Sequence, residues 1–214
     1  MKLAKGAGSW ILTAFFIMAL SGFFYFFIQN TIQKLFLFLF VSSCLIECFF
    51  LMFFRDPHRK IGKEIVAVAD GVIREVNQIK DDDIGDSFHI STFMNVYHVH
   101  VNRMPLDGTI KKVTHISGGH IPAFKKESDR NERMITIIET AIGPVKIIQI
   151  AGSIARRIVS YVDVDQNLKK GTRIGIIKLG SRVDLIVPKD AVKKISVKKG
   201  DRVRAGNSQI CSIQ

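Results

Sequence analysis

Cysteine is scarce in this 214-residue chain: there are three, at positions 44, 48 and 211. An odd, scattered set of this kind builds no disulfide framework. Metal ligands are equally thin. Cys44 and Cys48 share a helix face four residues apart, but no other ligand-type side chain in those turns completes a site. Asp81, Asp82 and Asp83 lack the glycine and distal glutamate of a calcium loop. The pair His98 and His100 has no cysteine or acidic third ligand nearby, so no metal is expected. No lysine sits in a recognisable pyridoxal phosphate site, and there is no Met-Lys-Met-like or Asp-Lys-Ala-like tip for a swinging-arm carrier. No stripe of basic and aromatic residues offers bases a stacking surface, which argues against nucleic acid as a partner.

Negative charge is also in short supply. Lys and Arg outnumber Asp and Glu by 31 to 19, for a net charge of +12. That balance suits an anionic partner, either nucleic acid or the negatively charged cytoplasmic leaflet. The N-terminal sequence decides for the membrane. Trp10 to Phe27 carries no charge, and Leu35 to Phe54 is interrupted only by Glu47. At 1.5 Å per residue these runs span roughly 27 and 30 Å, against a hydrocarbon layer of about 30 Å. The first run is longer than a typical apolar signal region, and the second follows after only Ile28 to Lys34. Both facts favour a helical hairpin over a cleaved signal. Lys2 and Lys5 precede the hairpin, while Arg55, Arg59 and Lys60 follow it, so the positive-inside rule places both ends in the cytoplasm. Glu47 is expected to be a protonated side chain facing the partner helix. Arg55-Asp56-Pro57-His58-Arg59 ends the second helix at Pro57 and reads as a basic collar at lipid phosphates, or as a plain juxtamembrane anchor.

After residue 60 the texture becomes β, over a length sufficient for its own core. Ile65 to Ala69 is nearly all apolar and suits a strand buried on both faces. Asp70-Gly71 then turns the chain into Val72 to Val76. Phe88 to Val101 is expected as one strand, whose alternation puts Val96, His98, His100 and Asn102 on one face. Met134 to Glu139 and Val145 to Ile150 form a hairpin through Gly143-Pro144. Leu168 to Ile174 is echoed 29 residues later by Val197 to Val203, each copy built on Lys-Lys-Gly. The second copy, with Ile210 to Ile213, resembles the hammerhead strands of biotinyl and lipoyl domains. The resulting fold class is α+β, mainly β. A two-helix membrane hairpin occupies residues 1–60, with helices at about 10–27 and 35–54. A β-rich, barrel-sandwich-like domain occupies residues 61–214.

Ser181, His100 and Asp70 supply a hydroxyl, an imidazole and a carboxylate, the parts of a charge-relay site, which is recognised by roles rather than by chain order. Locally each has a plainer reading. Asp70-Gly71 is a routine turn pair, Gly180-Ser181 before a strand is also a turn, and His98 competes with His100 for acid–base work. Together the motifs are more specific. Phe53-Phe54-Arg55-Asp56-Pro57, Ala69-Asp70-Gly71, Val99-His100-Val101-Asn102-Arg103, Asn131-Glu132-Arg133, Gln149-Ile150-Ala151-Gly152, Ala155-Arg156-Arg157-Ile158-Val159 and Leu179-Gly180-Ser181-Arg182 resemble the short branch of the phosphatidylserine decarboxylase family. The resemblance covers most of residues 50–214. Longer members carry Thr after the serine, and the short branch carries Arg, as at Arg182. Archaetidylserine decarboxylases are close relatives.

The resemblance implies self-cleavage between Gly180 and Ser181, giving chains 1–180 and 181–214. Ser181 then becomes a covalent pyruvoyl group, with neither pyridoxal phosphate nor metal. Loss of CO₂ from an α-amino acid leaves negative charge at Cα, and the imine formed by a pyruvoyl carbonyl can accept it. To make that group, Ser181 Oγ attacks the Gly180 carbonyl to give an ester, and elimination and hydrolysis then release ammonia. The family match selects His100 as the base and Asp70 as the residue that holds its tautomer. Arg156 and Arg157 are candidates for clamping the lipid phosphate, or are a surface charge pair. The implied activity converts phosphatidylserine to phosphatidylethanolamine. The implied partners are a membrane phospholipid, an anionic membrane surface and the two processed chains, with a homo-oligomer left open. The rival reading is a membrane-anchored, lipoyl-like binding module without catalysis, which has no need of Asp70, His100 and Ser181 together.

Overall fold

The computed structural model describes residues 2–29, 31–119, 130–152, 157–178 and 181–214. The chain forms two compact units, Met1–Pro57 and His58–Gln214. In the first, helices α1 (Gly8–Phe27) and α2 (Thr31–Phe53) lie between two short paired strands, β1 (Lys2–Leu3) and β2 (Arg55–Asp56). Both helices are long and apolar enough to cross a membrane. Phe16, Phe26 and Leu45 stand 68%, 76% and 68% exposed, so the apolar surface faces outward as well as inward. Small residues let the helices approach. Ala14, Ser21, Gly22 and Ser43 are buried, and a Cβ on Gly22 would meet the Phe40 ring at 3.0 Å. Glu47 Oε2 is shut off from solvent with no hydrogen-bond partner among the described residues.

The second unit is antiparallel β, so the protein as a whole is α+β and mainly β. Its strands are β3 (Ile65–Val66), β4 (Gly71–Asp81), β5 (Gly85–Met94), β6 (Val101–Arg103), β7 (Gly108–Ile116), β8 (Arg133–Thr140), β9 (Gly143–Ala151) and β10 (Ile158–Ser160). These are followed by β11 (Asn167–Leu168), β12 (Arg173–Ile177), β13 (Ser181–Pro188), β14 (Val192–Ile195), β15 (Arg202–Val203) and β16 (Gln209–Ile213). The large sheet runs β11-β7-β8-β9-β13-β5-β4-β15, and β10-β12-β6 and β14-β16-β3 form two smaller sheets. Strand β13 is central. It pairs with β5 from Ser181↔Met94 to Pro188↔Ser87, and with β9 from Ser181↔Ala151 to Ile186↔Lys146.

Alternation decides which face of β13 is core. Val183, Leu185 and Val187 point inward and join Ile147 and Val145 of β9, Ile90 and Met94 of β5 and Ile138 of β8. Each such side chain contributes about 1.5–3 kcal/mol on burial. Ser181 shares this inward face, two residues before Val183.

The run Phe88 to Val101 differs from the single strand its pattern suggests. β5 stops at Met94, and β6 begins only at Val101. Asn95 turns the chain between them: the His98 N–H donates to the Asn95 carbonyl at 2.9 Å, and the Asn95 N–H donates to His98 Nδ1 at 3.0 Å. His98 therefore serves the turn and shares no strand face with His100. The Lys-Lys-Gly echo is a repeated turn. Gly171 and Gly200 take φ of +80° and +94°, and the N–H of the following residue closes onto Lys169 or Lys198.

Candidate active site

Three chain segments meet around His100. β6 pairs with β12 through Val101↔Ile176 and Asn102↔Gly175, and the Ile177 N–H donates to the His100 carbonyl at 3.4 Å. On the other side of β6, the Arg103 N–H donates to Val68 O and the Val66 N–H to Pro105 O. The chain then bends over residues 68–70 to reach Asp70. Ser181 heads β13 four residues beyond Ile177, so the chain keeps it within about 14 Å of that residue. Gly180 and Arg156 lie outside the described residues.

The three candidate catalytic side chains are buried, Ser181 and His100 completely and Asp70 at 7% exposure. Ser181 Oγ has no hydrogen-bond partner among the described residues. A buried hydroxyl is ordinarily paired, so an orphaned one marks a reaction site or a missing polar neighbour. His100 Nδ1 lies 2.9 Å from the His98 carbonyl oxygen. A carbonyl can only accept, so Nδ1 carries the proton and Nε2 keeps the lone pair a base needs. The Asp70 carboxylate accepts from Arg59 at 2.7 Å and from the Ala205 N–H at 2.8 Å.

These contacts redistribute the roles read from sequence. The atom that holds the His100 tautomer is the His98 carbonyl, whereas the triad pattern assigns that task to Asp70. Among the described residues, the hydrogen bonds of the Asp70 carboxylate come from Arg59 and the Ala205 N–H. Arg59, expected at lipid phosphates, instead turns to Asp70, its side chain only 12% exposed. A carboxylate this buried needs a charge and hydrogen bonds to offset lost solvation, and Arg59 and the Ala205 N–H supply them.

Further polar side chains, most of them within the quoted motifs, complete the surroundings. Gln149 pairs with Val183 in the ladder and donates through Nε2 to Asn102 Oδ1 at 2.7 Å, both side chains fully buried. Asn131 Nδ2 donates to the Ala151 carbonyl, opposite Ser181, at 2.8 Å. The Lys178 N–H donates to the Arg157 carbonyl at 3.2 Å, which places the two cationic residues side by side. Burial, and then the charge of Arg157, hold the Lys178 amine below the ordinary lysine range. Arg157 itself is exposed. Among the described residues no group of three metal-ligating side chains comes together.

The sequence profile of the phosphatidylserine decarboxylase family matches residues 46–211, the end of the second helix and nearly all of the β unit. The chain belongs to the phosphatidylserine decarboxylase family. A protein of Streptomyces avermitilis named phosphatidylserine decarboxylase proenzyme is 37% identical, over 98% of this chain and 93% of its own length. Another of that name from Thermobifida fusca is 37% identical, over 98% of this chain and 92% of its own. A protein of Methanococcoides burtonii, provisionally named archaetidylserine decarboxylase proenzyme, is 41% identical over 97% and 95%. The decarboxylase family match thus spans Asp70, His100, Arg157 and Ser181, and also Arg59, Gln149 and Lys178.

Proposed function

We propose that this chain is a proenzyme that cuts itself between Gly180 and Ser181 and then decarboxylates phosphatidylserine to phosphatidylethanolamine. The observation that carries the reading is Ser181. In a member of a decarboxylase family whose relatives are named proenzymes, this hydroxyl sits fully buried, without a partner among the described residues, at the head of a central strand.

In this reading His100 Nε2 takes the Ser181 Oγ proton, helped by the His98 carbonyl that keeps the other ring proton on Nδ1. The freed oxygen bonds to the Gly180 carbonyl carbon as the Gly180–Ser181 C–N bond breaks, and the amide becomes an ester. Elimination across Cα and Cβ of residue 181 then releases Gly180 as a carboxylate. Water replaces the remaining nitrogen, which leaves as ammonia, and residue 181 keeps a ketone carbonyl. The orphaned, solvent-free Ser181 position fits such a group. A pyruvoyl carbonyl supplies an electron sink for the charge left at Cα when CO₂ departs. His100, freed from its first task, would return a proton to that carbon. Arg157 and Lys178 offer positive charge to the lipid phosphate or the serine carboxylate at the end of β12. Asp70, pinned by Arg59 and Ala205, would supply the negative charge that a triad sets against the imidazole as it becomes cationic.

The two apolar helices would anchor the enzyme in the membrane that holds its substrate, with the β unit on the cytoplasmic side. The archaeal relatives favour archaetidylserine as a second substrate, since the reacting serine head group is common to both lipids. The test is release of CO₂ from carboxyl-labelled phosphatidylserine in mixed micelles, beside the archaeal ether lipid. The wild-type chain should release label and Ser181→Ala should not. Release by Ser181→Ala, or none by a wild type that has been cut, refutes the reading.

A further inference from the structure

The outward face of β13 carries a buried ionic network that the chemistry above does not use. Arg182 and Asp184 alternate with Ser181 and Val183, so they lie on the face away from the Ser181 hydroxyl. Arg182 donates to Asp184 Oδ2 at 2.8 Å, and His89 Nε2 of β5 lies 3.2 Å from the same oxygen. Asp184 is 2% exposed and sits directly across from Ser91, whose hydroxyl also bonds it. His89 is two residues from Ser91 along β5, so the contact is a diagonal between strands. Burial alone would discharge His89, but the Asp184 hydrogen bond and charge outweigh it and hold the imidazole above its ordinary range, against Arg182 and with a smaller push from Glu75 of β4. Burial likewise opposes the Asp184 charge, and His89, Arg182 and Ser91 overcome it. The cluster crosses from β13 to β5 through these contacts.

A buried ionic cluster is costly to desolvate and is a weak reason for stability in itself. Its position suggests another use, which rests on the cleavage reading above. Ser181 forms the first rung of both ladders of β13. Cutting before it turns residue 181 into a chain end, and strand ends open at little free-energy cost. The apolar anchors of the strand begin only at Val183.

We propose that Arg182, Asp184 and His89 are positioning residues that lock the head of β13 onto β5 after the chain is cut, so that the new N-terminal residue 181 keeps its place. Their side chains lie on the face of β13 away from that of residue 181. They act by denying the severed end its freedom.

The test uses the full chain in detergent, with His89→Leu, His89→Gln, Arg182→Met and Asp184→Asn beside the wild type. Extent of cutting is read by intact mass, and kcat and KM for phosphatidylserine are expressed per cut chain. His89→Leu, Arg182→Met and Asp184→Asn should be cut as fully as wild type, yet lose about tenfold or more in kcat with KM within about twofold. His89→Gln, which keeps an N–H for Asp184, should return to within about threefold of wild type. Should the His89→Leu or Asp184→Asn chain not accumulate, Arg182→Met, at the partly exposed end of the network, carries the comparison. Wild-type kcat in the variants that are cut overturns the proposal. So does a loss of folded chain with kcat per cut chain unchanged, the mark of a merely structural role. A wild type that stays in one piece overturns the cleavage reading and this proposal together, whereas failure of the variants alone overturns only this one.

Discussion

The ion pair between Arg59 and Asp70 offers a quantitative test of how the site is held. The side chains are 12% and 10% exposed and meet at 2.7 Å, with the Ala205 N–H as the second donor to the carboxylate. Arg59→Met keeps most of the side-chain bulk but strands a nearly buried charge. Breaking one side of a buried pair costs about 3–5 kcal/mol. The surviving Ala205 hydrogen bond puts the expected loss at the lower end, about 3 kcal/mol. For a domain of this size each kcal/mol moves Tm by about 2–4 °C, so a drop of roughly 6–12 °C is expected. The measurement is thermal unfolding of the β unit by circular dichroism in the full chain, on a Ser181→Ala background that stays in one piece. Asp70→Asn added to Arg59→Met should cost less than the sum of the two, because the stranded charge is gone. With Ser181 restored, Arg59→Met should slow self-cleavage and Arg59→Lys should recover part of the rate. A Tm change under about 2 °C, or strict additivity of the two substitutions, would refute the reasoning.

The His89–Asp184 pair imposes a pH signature. A raised His89 stabilises fully below its ordinary value of 6.5 and loses that contribution as pH rises through its folded value. A lowered Asp184 stabilises above its ordinary value of 3.8 and loses that contribution on acidification through its folded value. The pair should therefore contribute most between about pH 4 and 6.5, and His89→Gln should flatten the alkaline side of the stability curve of the uncut Ser181→Ala chain. A curve unchanged by His89→Gln contradicts the assignment. Because β13 is laced between β5 and β9, chains 1–180 and 181–214 should co-purify and part only in denaturant. Separation on gel filtration in plain detergent would count against that. Protease added to intact spheroplasts should spare the β unit, and digestion before lysis would reverse the proposed orientation.

Much of the architecture is legible in the sequence because it follows from local rules. Apolar length gives α1 and α2, alternation gives β8 and β9, and Lys-Lys-Gly gives two matched turns with positive φ. Phe88 to Val101 misleads because a pattern of alternating residues cannot announce that the His98 ring will cap the Asn95 N–H and close a turn. The candidate catalytic groups carry motifs, but Arg59 and Asp184 do not. Arg59 looks like any juxtamembrane cation until the fold brings Asp70 beside it, eleven residues on. Gln149 and Asp184 do leave a trace: each is a polar residue with Ile, Leu or Val on either side of it in its strand. Such an interruption says that a buried polar group exists, while its partner, Asn102 or His89, is set by long-range register alone.

Intact mass of the purified chain tests the central claim most directly. Cleavage at Gly180–Ser181 requires two species, residues 1–180 and residues 181–214, the smaller lighter than its encoded mass by about 17 mass units, the ammonia lost as serine becomes pyruvoyl, and blocked to Edman degradation. Ser181→Ala should give one chain of full length, and His100→Ala should accumulate the same uncut precursor. A wild-type protein that remains a single chain of encoded mass, or a Ser181→Ala protein that still divides at the same bond, would contradict the account.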